Sequence, residues 1–377
     1  MEDMIMEYRK FGNTGVEISA LGLGCMRFPT TNEPMSPDID VDEAIKMIHH
    51  AIDEGVNYLD TAYPYHGGQS EIVVGKSLKG GYREKVYLAT KAPVWMINRE
   101  EDFEINLDEQ LRKLDVEYID FYLLHALSLD RWNNTILKHN VLGQLEKAKA
   151  AGKIKHVGFS FHDDYNAFQT IVDGYDKWEF CQIQFNYIDI HNQAELKGLK
   201  YAASKGLGVI VMEPLLGGKL ATPPAGVAKV LSDTKTPVEW AFDFIWDFEE
   251  VSFLLSGMGS MEQIKENLVY ASRSSVGKLS EDDLKMLEHA KVVYDTMALV
   301  PCTKCAYCMP CPFGLDIPKI YEAYNKTASV GLREAKEIYQ ALEISAEACQ
   351  QCKECEKVCP QKIMSSDLMS EIHKVFI

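Results

Sequence analysis

The sequence predicts a (β/α)8 TIM barrel with an N-terminal hairpin, followed by a small, mainly helical C-terminal domain rich in cysteine. Three observations carry this reading. Eight short apolar runs alternate with amphipathic helical patterns before residue 300. No G-x-G-x-x-G follows the first run, which sets aside the runner-up, a doubly wound open sheet. Cysteine is also segregated: of ten, only Cys25 and Cys181 precede Val300, and the other eight lie between Cys302 and Cys359.

The runs are Ala20–Met26, Tyr58–Ala62, Val86–Lys91, Ile119–His125, Ile154–Ser160, Phe180–Asn186, Gly208–Glu213 and Phe253–Met258. Each is short, mostly apolar and bounded by polar or turn residues, as strands buried on both faces read. Helical patterns fall between them, among them Val41–Glu54, Asn106–Leu114, Asn192–Lys205 and Met261–Ala271. Eight such alternations fit the barrel. Ahead of the first strand, YRKFGNTGVEISAL reads as a hairpin turning at Gly12, Asn13 and Gly15 and placed to close the barrel's bottom. A helix from Ser280, its N-cap, to Tyr294 follows the last unit. Val300 and Pro301 then lead into the cysteines. The expected domains are 1–298 and 299–377.

The chain has 377 residues and a formal net charge of −17. Phosphates need a basic face, so this charge argues against a nucleic-acid partner. No stretch of 18 apolar residues predicts a membrane span. The start, MEDMIMEYRK, is acidic and lacks the apolar segment of a secretory signal. The expected location is the cytoplasm, where clustered thiols read as metal ligands rather than a disulfide framework.

In a barrel of this type the chemistry sits at the C-terminal ends of the strands. Strand two ends in Asp60, strand three in Lys91 and strand four in His125, and Tyr65 follows Asp60 on the next loop. Buried charges must pair, so these groups should share one pocket. A phenol has a pKa near about 10 and is a weak acid at neutral pH. A lysine ammonium beside it stabilises the phenolate, and Asp60 would hold that lysine charged. His125 could donate to a carbonyl oxygen or share a proton with Tyr65. Taken singly, Asp60 reads as a cap, His125 as a core histidine, Lys91 as a solvated strand end and Tyr65 as a loop residue. Jointly they read as a tuned general acid. Cys25 and Cys181 read as small buried fillers.

These residues carry a resemblance. Asp60-Thr61-Ala62-x-x-Tyr65, the lysine of Ala89-Thr90-Lys91 and the histidine of Leu123-Leu124-His125 resemble the aldo-keto reductases, over Tyr8 to Tyr294. The resemblance implies a catalytic tetrad of Asp60, Tyr65, Lys91 and His125. Tyr65 would be the proton donor, and hydride would come from a nicotinamide cofactor bound without a Rossmann fold. It also implies cofactor contacts. Ser160 and Gln182 would hold the carboxamide, although Phe161 stands where asparagine is common. Met212 occupies the place of a stacking tyrosine. Glu266 and Asn267 resemble the adenine-binding pair. Gly257 and Gln263 stand where basic residues would clamp an NADP 2′-phosphate, so NAD and NADP are equally expected.

The first cysteine run has thiols at Cys302, Cys305, Cys308 and Cys311, the second at Cys349, Cys352, Cys355 and Cys359. The second has the C-x2-C-x2-C-x3-C-P spacing of [4Fe–4S] sites, and the first differs only in a shortened last gap. In paired motifs the fourth ligand comes from the other run. Two [4Fe–4S] clusters are expected, one on Cys302, Cys305, Cys308 and Cys359, the other on Cys349, Cys352, Cys355 and Cys311. With helical patterns at Ile317–Lys326 and Leu332–Leu342 between them, the segment resembles a helical two-cluster ferredoxin module. Zinc is the competing reading; the third cysteine continuing each C-x2-C and the proline after each fourth weigh against it.

The expected function is an oxidoreductase that reduces a small carbonyl compound, or oxidises the alcohol, with NAD(P)(H). The alternative is an electron-transfer or redox-sensing protein whose barrel binds nucleotide without turnover; the intact tetrad argues against it. Nicotinamide passes two electrons as hydride and each cluster passes one. A flavin would bridge that difference, but no flavin-specific motif is present. An external electron carrier such as a ferredoxin is the other candidate partner, and a purely structural role for the clusters is the third option.

Overall fold

The computed structural model describes residues 5–297, 299–329 and 331–377. By internal packing the chain forms two compact units. The first runs to Pro214 and resumes at Phe242–Lys278, and the second joins Leu215–Ala241 to Leu279–Ile377.

The first unit is the barrel. Strands β1 (Tyr8–Lys10) and β2 (Glu17–Ser19) form the expected antiparallel hairpin. Eight parallel strands follow: β3 (Leu21–Gly24), β4 (Tyr58–Asp60), β5 (Tyr87–Ala92), β6 (Ile119–Leu127), β7 (Ile154–Phe161), β8 (Phe180–Gln184), β9 (Gly208–Met212) and β10 (Phe253–Ser256). They close in chain order, with β10 beside β3. The eight apolar runs are these eight strands, and β4, β6 and β8 are buried at every residue. Helices cover the barrel, and three of them start on side-chain caps. Asp40 accepts from the Glu43 amide, Asp164 from that of Ala167 and Ser260 from that of Gln263. Two helices differ from the pattern at their starts. The third-strand helix begins at Asp102, whose carboxylate caps the Asn98 and Arg99 amides, and the sixth begins only at Glu195.

The hairpin fills the barrel's N-terminal end. Phe11, fully buried at its turn, packs its ring against Tyr58, Phe121, Phe180 and Phe253, with centroids 5.0–6.3 Å away. Tyr58, Phe180 and Phe253 are the first residues of their strands, so one aromatic layer closes this end. The fit leaves no room at two glycines. Gly12 has φ +52°, and a Cβ there would lie 2.2 Å from the Gly208 nitrogen. A Cβ on Gly208 would lie 2.2 Å from the Phe11 ring. Gly208→Ala should therefore destabilise the protein by about 1–3 kcal/mol through overpacking. A thermal melt unchanged from wild type would refute this account of the plug.

The second unit has its own core. Helices Ile317–Ser329, Leu332–Gln340 and Ser365–Phe376 surround Val300, Leu315, Ile320, Tyr321, Met369 and Ile372. Tyr339 stacks on Phe376 at 4.3 Å, and the Tyr321 hydroxyl donates to Ser365 Oγ at 2.6 Å. Ser280 and Asp283 form a capping box at the start of helix Glu281–Asp295. The segment after β9 is built into this unit: a Cβ on Gly217 would lie 2.2 Å from the Thr303 carbonyl oxygen, and one on Gly226 would meet Met297 and Val293. Among the described residues, no helix is long and apolar enough to cross a membrane.

Candidate active site

Parallel strands with helical returns bring all eight C-terminal ends to one face. Asp60 is the last residue of β4 and Lys91 lies one residue from the end of β5. The Lys91 Nζ sits 2.5 Å from Asp60 Oδ1, 3.0 Å from the Thr61 carbonyl oxygen and 3.4 Å from the Tyr65 hydroxyl. The ion pair is almost wholly buried, Lys91 1% and Asp60 2% exposed. Burial pushes the Asp60 carboxyl up and the Lys91 ammonium opposes that shift. Removing either partner would strand the other charge, at a cost of about 3–5 kcal/mol. Tyr65 opens the turn after β4, and its ring meets that of His125 edge-on at 6.3 Å. All four expected catalytic residues thus stand in one pocket.

His125 does not end its strand. β6 continues to Leu127, with an irregular register between Leu124 and Leu127, and Ala126 takes φ +54°. A non-glycine residue there is strained. Two contacts hold it: the Ala126 amide donates to Ser160 Oγ at 2.7 Å, and Arg131 Nη1 donates to the Ala126 carbonyl at 2.6 Å. Burial, then Lys91, His162 and Arg131, hold His125 well below the ordinary histidine pKa, so at neutral pH its imidazole is uncharged. His162, bound through Nδ1 to Gln193 at 3.2 Å, is likewise pushed down to about 4, chiefly by burial. Both histidines are neutral when folded and take up a proton more readily when unfolded. Stability should therefore fall as pH drops from about 6.5 towards 4. His162→Gln should flatten that dependence in melts across this window; an unchanged slope would refute the assignment for His162.

A second polar network lies behind Lys91. Glu71 is fully buried and accepts from Thr90 Oγ1 at 2.8 Å, Gln110 Nε2 at 2.6 Å and Lys113 Nζ at 3.2 Å. Gln110 also donates to the Lys91 carbonyl at 3.0 Å and accepts from the Tyr122 hydroxyl. These bonds fix the backbone that carries the lysine. The one sequence signal for them was a lone glutamate in the apolar run SEIVVG. Trp95, 43% exposed, lies 5.1 Å from the His125 ring. Nothing in its local sequence marked it.

The expected cofactor contacts fall in two places. Ser160 and Gln182 are register partners on β7 and β8, both buried, next to the His125 bulge. Gln182 Oε1 is buried with no hydrogen-bond partner among the described residues, which suits an acceptor awaiting an amide. Met212 ends β9, half-buried. The others gather beyond β10. Asn267 is buried and donates to Ser256 Oγ at 3.1 Å, while Gln263 Oε1 accepts from the Gly259 amide at 2.8 Å. Gly257 lies against the Arg27 side chain, and Glu266 faces solvent on helix Met261–Ala271.

In the second unit the thiols form two groups. Burial raises Cys302 and Cys308; Cys302 also feels Cys359, and Cys308 feels Cys305, Cys302 and Cys359. Cys311, Cys349, Cys352 and Cys355 line one hollow with Phe313, Leu315 and Met369. None of the ten cysteines is in a disulfide, and Cys25 and Cys181 are buried in the barrel. Among the described residues no three His, Cys, Asp or Glu side chains converge as a single metal ion needs.

The sequence profile of the aldo/keto reductase family matches residues 20–291, and that of a 4Fe-4S dicluster domain matches 298–363. A protein named L-galactose dehydrogenase from Arabidopsis thaliana is 27% identical over 75% of this chain and 93% of its own. A "probable aldo-keto reductase 1" from Glycine max is 34% identical over 40% of this chain and 44% of its own. The fold matches the holo form of an aldo-keto reductase from Bacillus halodurans with a TM-score of 0.61 at 23% identity, covering 76% of this chain and 96% of that one. The chain therefore belongs to the aldo/keto reductase family and carries a 4Fe–4S domain over residues 298–363.

Proposed function

We propose that this chain interconverts a small carbonyl compound and its alcohol with NAD(P)(H), using Asp60, Tyr65, Lys91 and His125. The observation that carries the reading is the Lys91 ammonium, 2.5 Å from Asp60 and 3.4 Å from the Tyr65 oxygen. That ammonium lowers the cost of leaving negative charge on the phenol oxygen as its proton moves. Asp60 and the Thr61 carbonyl hold the ammonium in place. His125, neutral in its buried site, donates a hydrogen bond to the substrate oxygen. A bound nicotinamide would supply or accept the hydride. Gln182 and Ser160 fit its carboxamide, Met212 its ring face, and Gly257, Gln263, Glu266 and Asn267 the adenosine end. Trp95 offers a flat apolar wall beside the reacting carbon. Similarity to a protein named for L-galactose makes a polyhydroxylated substrate the first to try.

In the same reading residues 1–298 form the catalytic module and 299–377 the iron–sulfur module, in a reducing cytoplasm. The thiol groups support two [4Fe–4S] clusters, on Cys302, Cys305, Cys308 and Cys359 and on Cys349, Cys352, Cys355 and Cys311. When bound they would carry single electrons to or from an external carrier. The test is anaerobic consumption of NADH and NADPH with simple aldehydes and aldoses. A brown, cluster-loaded protein that consumes neither would refute the carbonyl-reductase reading.

A further inference from the structure

Four arginines are half-buried: Arg9, Arg27, Arg83 and Arg131. Three are tied down. Arg9 donates to the carbonyls of Trp246 and Val251, Arg83 pairs with Asp120 at 2.7 Å, and Arg131 donates to the Ala126 carbonyl. Arg27 is the exception. Its guanidinium has no hydrogen bond, ion pair or ring contact with any described residue. This is unexpected in a chain where 56 acidic residues outnumber 39 basic ones. A guanidinium is a five-donor fork matched to carboxylate and phosphate oxygens.

Its position is specific. Arg27 follows β3 at the barrel's C-terminal face, and β3 pairs with β10, Leu23 opposite Ser256. The register brings Arg27 beside the loop that leaves β10. A Cβ on Gly257 would lie 3.3–3.5 Å from Arg27 Cβ, Cγ and Cδ, and one on Gly259 would lie 3.3 Å from the Arg27 carbonyl oxygen. Gly257 thus lies under the arginine stem, and Gly259 against the backbone that carries it. Directly after them helix Met261–Ala271 begins at Ser260, and its first amides add a partial positive charge at the same end.

We infer that Arg27 is the phosphate-binding cation of the dinucleotide site, delivered from the β3 loop to the crevice beyond β10. This rests on the nucleotide reading above. It gives Gly257 a role as floor for the arginine. Two phosphates are chemically equivalent ligands for it, the pyrophosphate shared by NADH and NADPH and the 2′-phosphate of NADPH alone.

The test measures dissociation constants of NADH and NADPH by anaerobic titration of tryptophan fluorescence, for wild type, Arg27→Ala and Arg27→Lys. Losing a charge-assisted contact should weaken binding roughly ten- to hundredfold. Loss for NADPH alone identifies the 2′-phosphate, and equal loss for both identifies the pyrophosphate. Arg27→Lys should recover part of the loss, and binding should weaken less steeply with salt in Arg27→Ala than in wild type. Unchanged affinity for both nucleotides in Arg27→Ala overturns the inference and leaves the nucleotide reading standing. A wild-type protein that binds neither nucleotide overturns both. Matched melts and visible spectra of the variants exclude misfolding as the cause.

Discussion

Tyr65→Phe is expected to lower turnover by about 10²–10⁴-fold, the usual worth of a positioned proton donor. The substitution removes one oxygen and keeps the ring. The ring's contact with the Lys91 ammonium, 5.1 Å from its centroid, and its edge contact with His125 should survive. Lys91 keeps its two stronger bonds, to Asp60 and Thr61. Stability and nucleotide affinity should therefore stay near wild type while the chemical step fails. Single-turnover kinetics with saturating cofactor would isolate that step. Retained turnover would show that another group moves the proton.

The second large effect concerns iron. Cys355→Ala removes one thiol from the hollow it lines with Cys311, Cys349 and Cys352. About half of the iron and of the broad visible absorption should be lost, because the other thiol group is untouched. Ligand binding by a cluster is also folding energy, so the unit around Tyr321, Met369 and Ile372 should melt earlier. Iron and sulfide assays with calorimetry would measure both. A colourless, zinc-loaded wild type would refute the assignment, as would a variant with full iron content.

Much of this was legible in the chain. Strands buried on both faces must be apolar throughout, so eight apolar runs marked eight strands. Strand direction then carried Asp60, Lys91 and His125 to one face, and the thiol spacing separated the two cysteine runs. What could not be read depends on contacts across the chain. The positive φ of Ala126 is held by Ser160 and Arg131 and has no glycine to announce it. Glu71 reads as a polar break in a helix until Thr90, Gln110 and Lys113 close on it. Arg27 gains its place only through the pairing of β3 with β10, whose sequences lie far apart.

The segment Leu215–Ala241 leaves β9 and packs with residues beyond Leu279, so the chain crosses between its two units three times. A domain simply joined behind another would need a single crossing. Interleaving of this kind imposes an order on synthesis. When β10 emerges from the ribosome, the connection that precedes it still lacks the partners it will pack against, Thr303 among them. The nascent barrel can pair its strands, but this crossover waits unclad until the cysteine runs have been made. The connection out of β9 can therefore pack only after the residues beyond Leu279 have been made.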